Sequence, residues 1–238
     1  MISIRDLTVT FGGVMALNKV TVELVTPVVG IIGPNGAGKT TFLNVLSGFI
    51  TPAAGSVRAV GAEILPMPPH KRSRWGLRRS FQKEQVVDEL TVEDNVGVML
   101  DSLGFGYAER ERQLAQALEF CGLSSIRKAR AQGLNAFERR MTEIARCLAG
   151  KPKVLMLDEP GAGLSQTEVD RLRQIILGIH AFNGAMTLLI DHDVDLIQAV
   201  CGATMVLDFG SLVISGPTRE VLSDPRVRAV YLGAEEVA

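Results

Sequence analysis

An α/β fold with a parallel sheet is predicted by three features of this sequence. Four short apolar runs rich in Val, Ile and Leu recur along the chain, as is typical of strands buried on both faces. Segments of helical periodicity separate some of them, which indicates repeated βαβ units. A glycine-rich loop follows the first run and leads into a helix. The four runs are 28–32, 154–157, 187–190 and 204–207.

The amino-terminal part of the chain predicts strands of a second kind. Residues 2–9 and 20–24 alternate apolar and polar side chains, a pattern typical of antiparallel strands with one exposed face. Residues 56–60 favour a further short strand. Phe11 lies between the first two segments. An isolated aromatic residue is more often part of a core, and stacking on an adenine ring is the alternative.

The glycine-rich loop fits the phosphate-binding pattern G-x-x-x-x-G-K-[ST] at every fixed position. Its glycines let the backbone wrap an anion, so that N–H groups point at a phosphate. Lys39 offers a charge to the β- and γ-phosphates, and Thr40 offers a hydroxyl to Mg²⁺. The helix that follows presents its positive end to the same phosphates. The predicted nucleotide-binding residues of this P-loop (Walker A motif) are Gly33, Pro34, Asn35, Gly36, Ala37, Gly38, Lys39, Thr40 and Thr41.

Two carboxylates follow the buried run 154–157. A buried strand carries a carboxylate only at its mouth, where a cation or water satisfies it. Asp158 is therefore predicted to hold Mg²⁺ through water, as in a Walker B motif, and Glu159 to act as general base or to orient water. An acidic turn with no catalytic role is the alternative, and the P-loop earlier in the chain favours catalysis.

His192 follows the run 187–190 and stands between two aspartates. A solvated histidine is the simpler interpretation of this residue in isolation. In a parallel sheet with a P-loop, however, the carboxyl ends of the strands face the nucleotide. His192 is therefore predicted to reach the γ-phosphate.

Composition and charge exclude several classes of protein. The chain has 25 basic and 26 acidic residues, so no bulk charge favours nucleic acid or an anionic membrane surface. No apolar run reaches the roughly 18–20 residues that span a bilayer, and the first residues lack a signal-peptide pattern, so we expect no secretion. Cys121, Cys147 and Cys201 are far apart, which predicts buried, reduced thiols in a cytosolic protein.

The middle of the chain is predicted to be mostly helical, with a capping box that begins at Thr91. We predict a single domain over residues 1–238, with a core of 1–83 and 150–238 and an inserted helical subdomain of about 84–149. Five basic residues between 71 and 79 favour a solvated face.

The order and spacing of four features match those of ATP-binding cassette (ABC) ATPases. These are the P-loop, Gln82, the two carboxylates and His192. The chain resembles this family over its whole length. The resemblance implies a P-loop NTPase core with an antiparallel β subdomain and an inserted helical subdomain. It also implies that Phe11 stacks on adenine, that Gln82 contacts Mg²⁺ and senses a membrane subunit, and that His192 is the switch histidine.

More narrowly, the chain resembles the ATPase subunits of branched-chain amino-acid, amide and urea importers. The segments that carry this likeness are 11–13 with 16–18, 90–96, and 224–233. It implies that the subunit hydrolyses ATP on the cytoplasmic face of the membrane, where it is bound to two permease subunits. A second ATPase subunit and, indirectly, a periplasmic or extracellular solute-binding protein are the further partners. The likeness also predicts that Val86, Val87 and Leu90 form an apolar groove for a permease helix, with inward packing as the alternative.

Two positions depart from the family pattern. The signature, close to Leu-Ser-Gly-Gly-Gln in the family, is matched here by Leu134, Asn135, Ala136, Phe137 and Glu138. Ser165 stands where the family usually has Asp. Since each ATP site combines one subunit's P-loop with the other's signature, we expect a heterodimer with a related ATPase in preference to a homodimer. The alternative is that the signature loop tolerates these substitutions and keeps its function.

Two other functions are compatible with the motifs. A soluble P-loop kinase needs an arginine-rich lid, for which the basic residues between 71 and 79 are the candidate. A non-transport cassette protein acting on DNA or the ribosome conflicts with the near-neutral charge.

Overall fold

The computed structural model describes residues 1–229 of the chain. Its strands are β1 (Ile2–Phe11), β2 (Val14–Leu24), β3 (Val28–Ile32), β4 (Ala54–Ala59), β5 (Ala62–Glu63), β6 (Leu77–Arg79), β7 (Val154–Asp158), β8 (Met186–Ile190), β9 (Ala203–Asp208) and β10 (Ser211–Pro217). Its α-helices are α1 (Lys39–Ser47), α2 (Pro69–Trp75), α3 (Val92–Asp101), α4 (Tyr107–Phe120), α5 (Ala136–Leu148), α6 (Gln166–Asn183), α7 (Val194–Val200) and α8 (Thr218–Ser223).

A six-stranded sheet forms the centre of the fold, in the order β10-β9-β3-β8-β7-β6. The five strands from β9 to β6 pair in parallel, and β10 is antiparallel to β9. All five residues of β3, β7 and β8 are buried, because both faces of the sheet are covered. The predicted parallel α/β sheet is confirmed. Its carboxyl edge brings together the loops that follow β3, β7 and β8.

A second, four-stranded antiparallel sheet has the order β2-β1-β4-β5. The strands of its first hairpin are longer than the apolar–polar alternation predicted, since Phe11 ends β1 and pairs with Val14. The turn is made by Gly12, whose φ of 57° is available to glycine without strain. Val14 and Met15 are exposed apolar residues, and they therefore hide the alternation at the start of β2.

Helices α3, α4 and α5 lie between β6 and β7 in the chain and pack together through buried apolar side chains. Helix α3 begins after Thr91, whose hydroxyl accepts the backbone N–H of Asp94 at 3.1 Å. This cap was predicted from the sequence. Within residues 1–229, no helix has both the length and the apolar character that crossing a bilayer requires. The three cysteines are buried free thiols, as predicted.

Three of the five basic residues between 71 and 79 do not lie on the solvated face that their charge predicts, whereas Lys71 and Arg74 are exposed. Arg72 and Arg78 are each only 3% exposed, and Arg79 forms a buried ion pair. Arg72 donates to the carbonyls of Val45 and Leu46, which satisfies the carboxyl end of α1. For these three arginines the prediction was wrong, because the partners of Arg72 and Arg79 lie far away in sequence and Arg78 is covered by the fold. The three buried arginines do not form a mobile lid.

Candidate functional site

The P-loop connects β3 to α1, and two of its glycines are required by close backbone contacts. A Cβ on Gly33 would lie 2.1 Å from the carbonyl oxygen of Leu207. A Cβ on Gly38 would lie 2.6 Å from that of Ala16, and the φ of Gly38 is 100°. Only glycine fits both positions. The loop is therefore held against β9 and β2 in the form that leads into the amino end of α1.

Lys39 lies against its own loop. Its Nζ donates to the carbonyl oxygens of Gly33 at 2.6 Å and Pro34 at 2.9 Å. Burial lowers the pKa of Lys39, and the nearby carboxylates of Glu159 and Asp158 act in the opposite direction. The ammonium group and the two carboxylates thus share one environment at the carboxyl edge of the sheet.

Glu159 lies at the centre of a small hydrogen-bonded group. Gln82 Nε2 donates to one carboxylate oxygen at 2.8 Å, and His192 Nε2 lies 3.1 Å from the other. The backbone N–H of Glu159 donates to Ile190 at 2.8 Å. Its φ is 49°, in the left-handed region that side chains rarely adopt. The three predicted catalytic residues, from three separate loops, are therefore in contact.

Asp158 forms a buried ion pair with Arg79, with 2.7 Å between Nη2 and Oδ2. Arg79 also donates to Asn44 on α1 at 2.7 Å, and its guanidinium lies 5.0 Å from the ring centre of Phe81. Sequence reasoning missed this contact. The one signal in the sequence was Arg79 itself, three residues before Gln82. Its contact with Asp158 can be inferred only once β6 is known to pair with β7.

Asp191 is a second residue that the sequence analysis did not assign. Its carboxylate accepts the backbone N–H of Gly161 at 3.2 Å and that of Asp193 at 3.0 Å. Burial raises its pKa. Asp191 therefore ties the loop that follows Glu159 to the loop that carries His192.

Phe11 lies at the tip of the β1–β2 hairpin and is 52% exposed. It does not belong to the core, so the more common interpretation of an isolated aromatic residue does not apply here. The ring is free to contact a ligand at this edge of the antiparallel sheet.

The signature-like segment forms the amino end of α5. Asn135 accepts the backbone N–H of Glu138 at 2.9 Å, and the Glu138 carboxylate accepts that of Asn135 at 3.0 Å. Phe137 packs against the helical core, and its ring centre lies 5.8 Å from the guanidinium of Arg171. Leu134 packs beside it and Ala136 is exposed. A reciprocal capping box thus occupies this helix end, with a carboxylate at its positive pole.

Ser165 makes a similar capping box on α6. Its hydroxyl and backbone N–H both donate to the carboxylate of Glu168, at 2.7 and 2.8 Å. The serine therefore starts a helix, as an aspartate at this position would.

An open groove of about 390 Å³ lies between α2, α3 and the strand β6. Its apolar lining includes Phe49, Phe81, Val98 and Met99. The residues predicted for a groove, Val86, Val87 and Leu90, are not part of it. Val87 is 47% exposed, but its backbone N–H and C=O both bond the side chain of Asn95. The prediction for 86–90 rested on the family resemblance, whereas this groove is built from four segments that are distant in sequence.

A P-loop at the carboxyl edge of a parallel sheet, facing a hydrogen-bonded glutamate, defines a nucleotide-hydrolysing ATPase. The chain belongs to the ABC transporter family, whose model matches residues 18–162. It is 34% identical over 249 residues to the high-affinity branched-chain amino acid transport ATP-binding protein BraF of Pseudomonas aeruginosa, with 98% of both chains covered. It is 33% identical, with the same coverage, to LivG of Escherichia coli K12, which bears the same description.

Other relatives and solved structures agree with this assignment. The lipopolysaccharide export ATP-binding protein LptB of Acidithiobacillus ferridurans is 34% identical over 220 residues, which cover 92% of this chain and 91% of LptB. The ADP conformation of MJ1267, an ATP-binding cassette of an ABC transporter, superimposes with a TM-score of 0.87 at 28% identity over 98% of both chains. A nucleotide-free cassette gives 0.84 at 27% identity, over 97% of this chain and 98% of that one.

The predicted family and fold are confirmed by these relatives. The chain is an ATP-binding and ATP-hydrolysing subunit of a transport system, and it works with a membrane permease on the cytoplasmic side. The soluble kinase and the non-transport cassette protein are not favoured. Of the segment 224–233, the residues from 230 onward lie outside the described part of the chain.

Proposed function

We propose that this ATPase drives an importer of branched-chain amino acids or of chemically related amides or urea. The observation that carries the proposal is the likeness to BraF and LivG over nearly the whole chain. The solute itself is selected by the permeases and, outside the membrane, by a solute-binding protein that this subunit does not contact. The ATPase supplies only the hydrolysis that drives their cycle.

Uptake measurements in cells test the solute class. Cells that lack the gene should lose uptake of labelled leucine, acetamide or urea, and the wild-type gene should restore it. Lys39→Ala is the matched control, since the protein folds but does not bind phosphate productively. Restoration of none of these three uptakes would contradict the solute class. Restored lipopolysaccharide export would instead favour the function named for LptB.

Within the site, we propose that the P-loop N–H groups and Lys39 bind the β- and γ-phosphates. Lys39 exchanges its two loop carbonyls for phosphate oxygens, which a buried ammonium group favours. Glu159 accepts the proton of the attacking water, and Gln82 and His192 hold its carboxylate in place. Phe11 stacks on the adenine ring. The contacts of Glu159 with Gln82 and His192, at 2.8 and 3.1 Å, support these roles.

The residues also suit Mg²⁺. The ion prefers hard oxygen ligands and keeps several waters, so a few protein oxygens and the phosphates suffice. We propose Thr40, Asp158 and Gln82 as these protein donors. The described residues contain no cluster of three or more His, Cys, Asp or Glu side chains that would hold a metal by themselves, as expected for a site completed by phosphates. When bound, the ion neutralises charge on the β- and γ-phosphates.

For the assembled transporter, we propose two ATPase subunits of different sequence. The capping box at Asn135 supports this, because the Glu138 carboxylate accepts a backbone N–H at the amino end of α5, the segment that the family pattern assigns to a partner's γ-phosphate. The negative charge of Glu138 at that point disfavours binding of the γ-phosphate. The site that uses this chain's signature is then the weaker one. Lys39→Ala and the equivalent partner substitution should reduce ATPase activity unequally in the assembled transporter, whereas equal losses would contradict a heterodimer.

We further propose that the groove near Phe49 receives a short cytoplasmic helix of a permease. Phe49 and Val98 are 58% and 55% exposed at its rim, which is unusual for apolar residues that serve only the core. Val98→Asp should release the subunit from membranes. Val87→Asp is the matched control outside the groove and should leave membrane association intact. Release by the control alone would contradict this position of the docking site.

A further inference from the structure

Arg78 is buried and has no hydrogen-bond partner in the described part of the chain. It is 3% exposed, and its three guanidinium nitrogens are closed off from solvent and bond to no group among residues 1–229. A guanidinium carries five N–H donors, and leaving a buried charge unpaired is strongly unfavourable. Desolvation lowers the pKa of Arg78 to about 10. Residues 1–229 therefore leave this cation without hydrogen-bond partners.

The position of Arg78 in β6 explains which side of the sheet it faces. Leu77 packs into the core that contains α1, and successive side chains of a strand point to opposite faces. Arg78 therefore faces α5, where Cys147 is near enough to affect its pKa. Arg78 and Cys147 both line the groove described above.

The groove has an excess of positive charge. Among residues 1–229, four arginines line it and no aspartate or glutamate does. Three of the four have partners: Arg79 pairs with Asp158, Arg146 lies 3.7 Å from Glu143, and Arg72 bonds backbone carbonyls at the end of α1. Arg78 is the one that remains. The groove thus combines apolar walls with one unsatisfied cation.

We infer that the permease helix docked in this groove carries an aspartate or glutamate between apolar residues, and that its carboxylate pairs with Arg78. This inference rests on the docking proposed above and specifies its chemistry. A planar guanidinium and a carboxylate form two parallel hydrogen bonds, and charge complementarity of this kind selects the partner and its register. Reaching Arg78 requires the groove residues above it to shift, so the pair forms as the helix docks.

Arg78→Met tests the inference, since methionine keeps most of the volume and removes the charge. The free subunit should melt at or above the wild-type temperature, because no hydrogen bond is lost. Its affinity for detergent-solubilised permeases should fall roughly tenfold to hundredfold, the effect of one charge-assisted bond. Arg74→Met, which removes an exposed charge from the neighbouring helix α2, is the matched control and should not change affinity. Arg78→Gln is the second variant should methionine prevent folding.

A permease variant completes the test. Replacing the acidic residue of the docked helix by leucine should weaken binding to wild-type subunit and restore binding to Arg78→Met. If Arg78→Met binds permease as wild type while Val98→Asp does not, the carboxylate pair is wrong and groove docking stands. If neither variant changes binding, groove docking itself is wrong. A marked loss of stability in both free Arg78→Met and free Arg78→Gln would also overturn the inference.

The chain's own tail is a competing source of a carboxylate, since residues 230–238 contain Glu235 and Glu236. A chain that ends at residue 229 should show the same loss of affinity on Arg78→Met. If the truncation removes that loss, the tail is the partner of Arg78 and the permease is not.

Discussion

Replacing Arg79 by methionine should destabilise the protein strongly. The ion pair with Asp158 is 2.7 Å long, and the two side chains are only 6% and 7% exposed. The substitution leaves the carboxylate buried without its cation, which costs about 3–5 kcal/mol. For a chain of this size, 1 kcal/mol lowers Tm by about 2–4 °C, so we expect a fall of roughly 6–20 °C. Urea denaturation and calorimetry of the free subunit measure both quantities.

Arg58→Met is the matched control, because the pair Arg58–Glu63 is 3.4 Å long and its side chains are 61% and 50% exposed. An exposed pair contributes about 0–1 kcal/mol. Adding Asp158→Asn to Arg79→Met should recover part of the loss, with a coupling of about 0.5–3 kcal/mol. If Arg79→Met costs no more than the control, or if the coupling is zero, the pair does not stabilise the fold as argued.

Four further results are expected. Glu159→Gln should leave Tm near the wild-type value and reduce phosphate release by the assembled transporter about 10²–10⁴-fold; wild-type turnover would exclude Glu159 as base. Phe11→Ala should raise the KM for ATP more than it lowers kcat, as measured by steady-state kinetics. Leu155→Ala, at a fully buried position of β7, should cost about 2–5 kcal/mol in urea denaturation. Burial raises the pKa of Asp191 above its ordinary value of 3.8. Its contribution to stability is therefore complete below that value and is lost as pH rises through the raised pKa. Asp191→Asn should remove this slope from urea midpoints measured from about pH 4 upward, and an unchanged slope would assign it to another group.

The parallel sheet was predictable because its strands are buried on both faces. Such strands appear in the sequence as continuous apolar runs, and the four runs correspond to β3, β7, β8 and β9, with each end shifted by at most one residue. The start of β2 was not predictable in the same way. Its first residues are apolar and exposed, so the pattern that marks a half-buried strand is absent there.

The site was predictable in its motifs and not in its contacts. The P-loop and the acidic strand end are local patterns with a chemical meaning of their own. Gln82 lies 77 residues from Glu159 in sequence, and only the family resemblance drew attention to it. Arg79 and Arg78 were misjudged for the same reason: a charged residue is assigned to the surface unless its partner, or its lack of one, is known from the fold.

The backbone of Glu159 has a consequence for how this position evolves. A φ of 49° favours glycine, and any side chain here costs roughly 1–2 kcal/mol. Selection for stability alone would therefore move the position towards glycine. With Glu159 in its proposed role as general base, selection for hydrolysis offsets this cost and retains glutamate. When selection for transport is relaxed, substitutions should appear at position 159 before they appear in the buried strands.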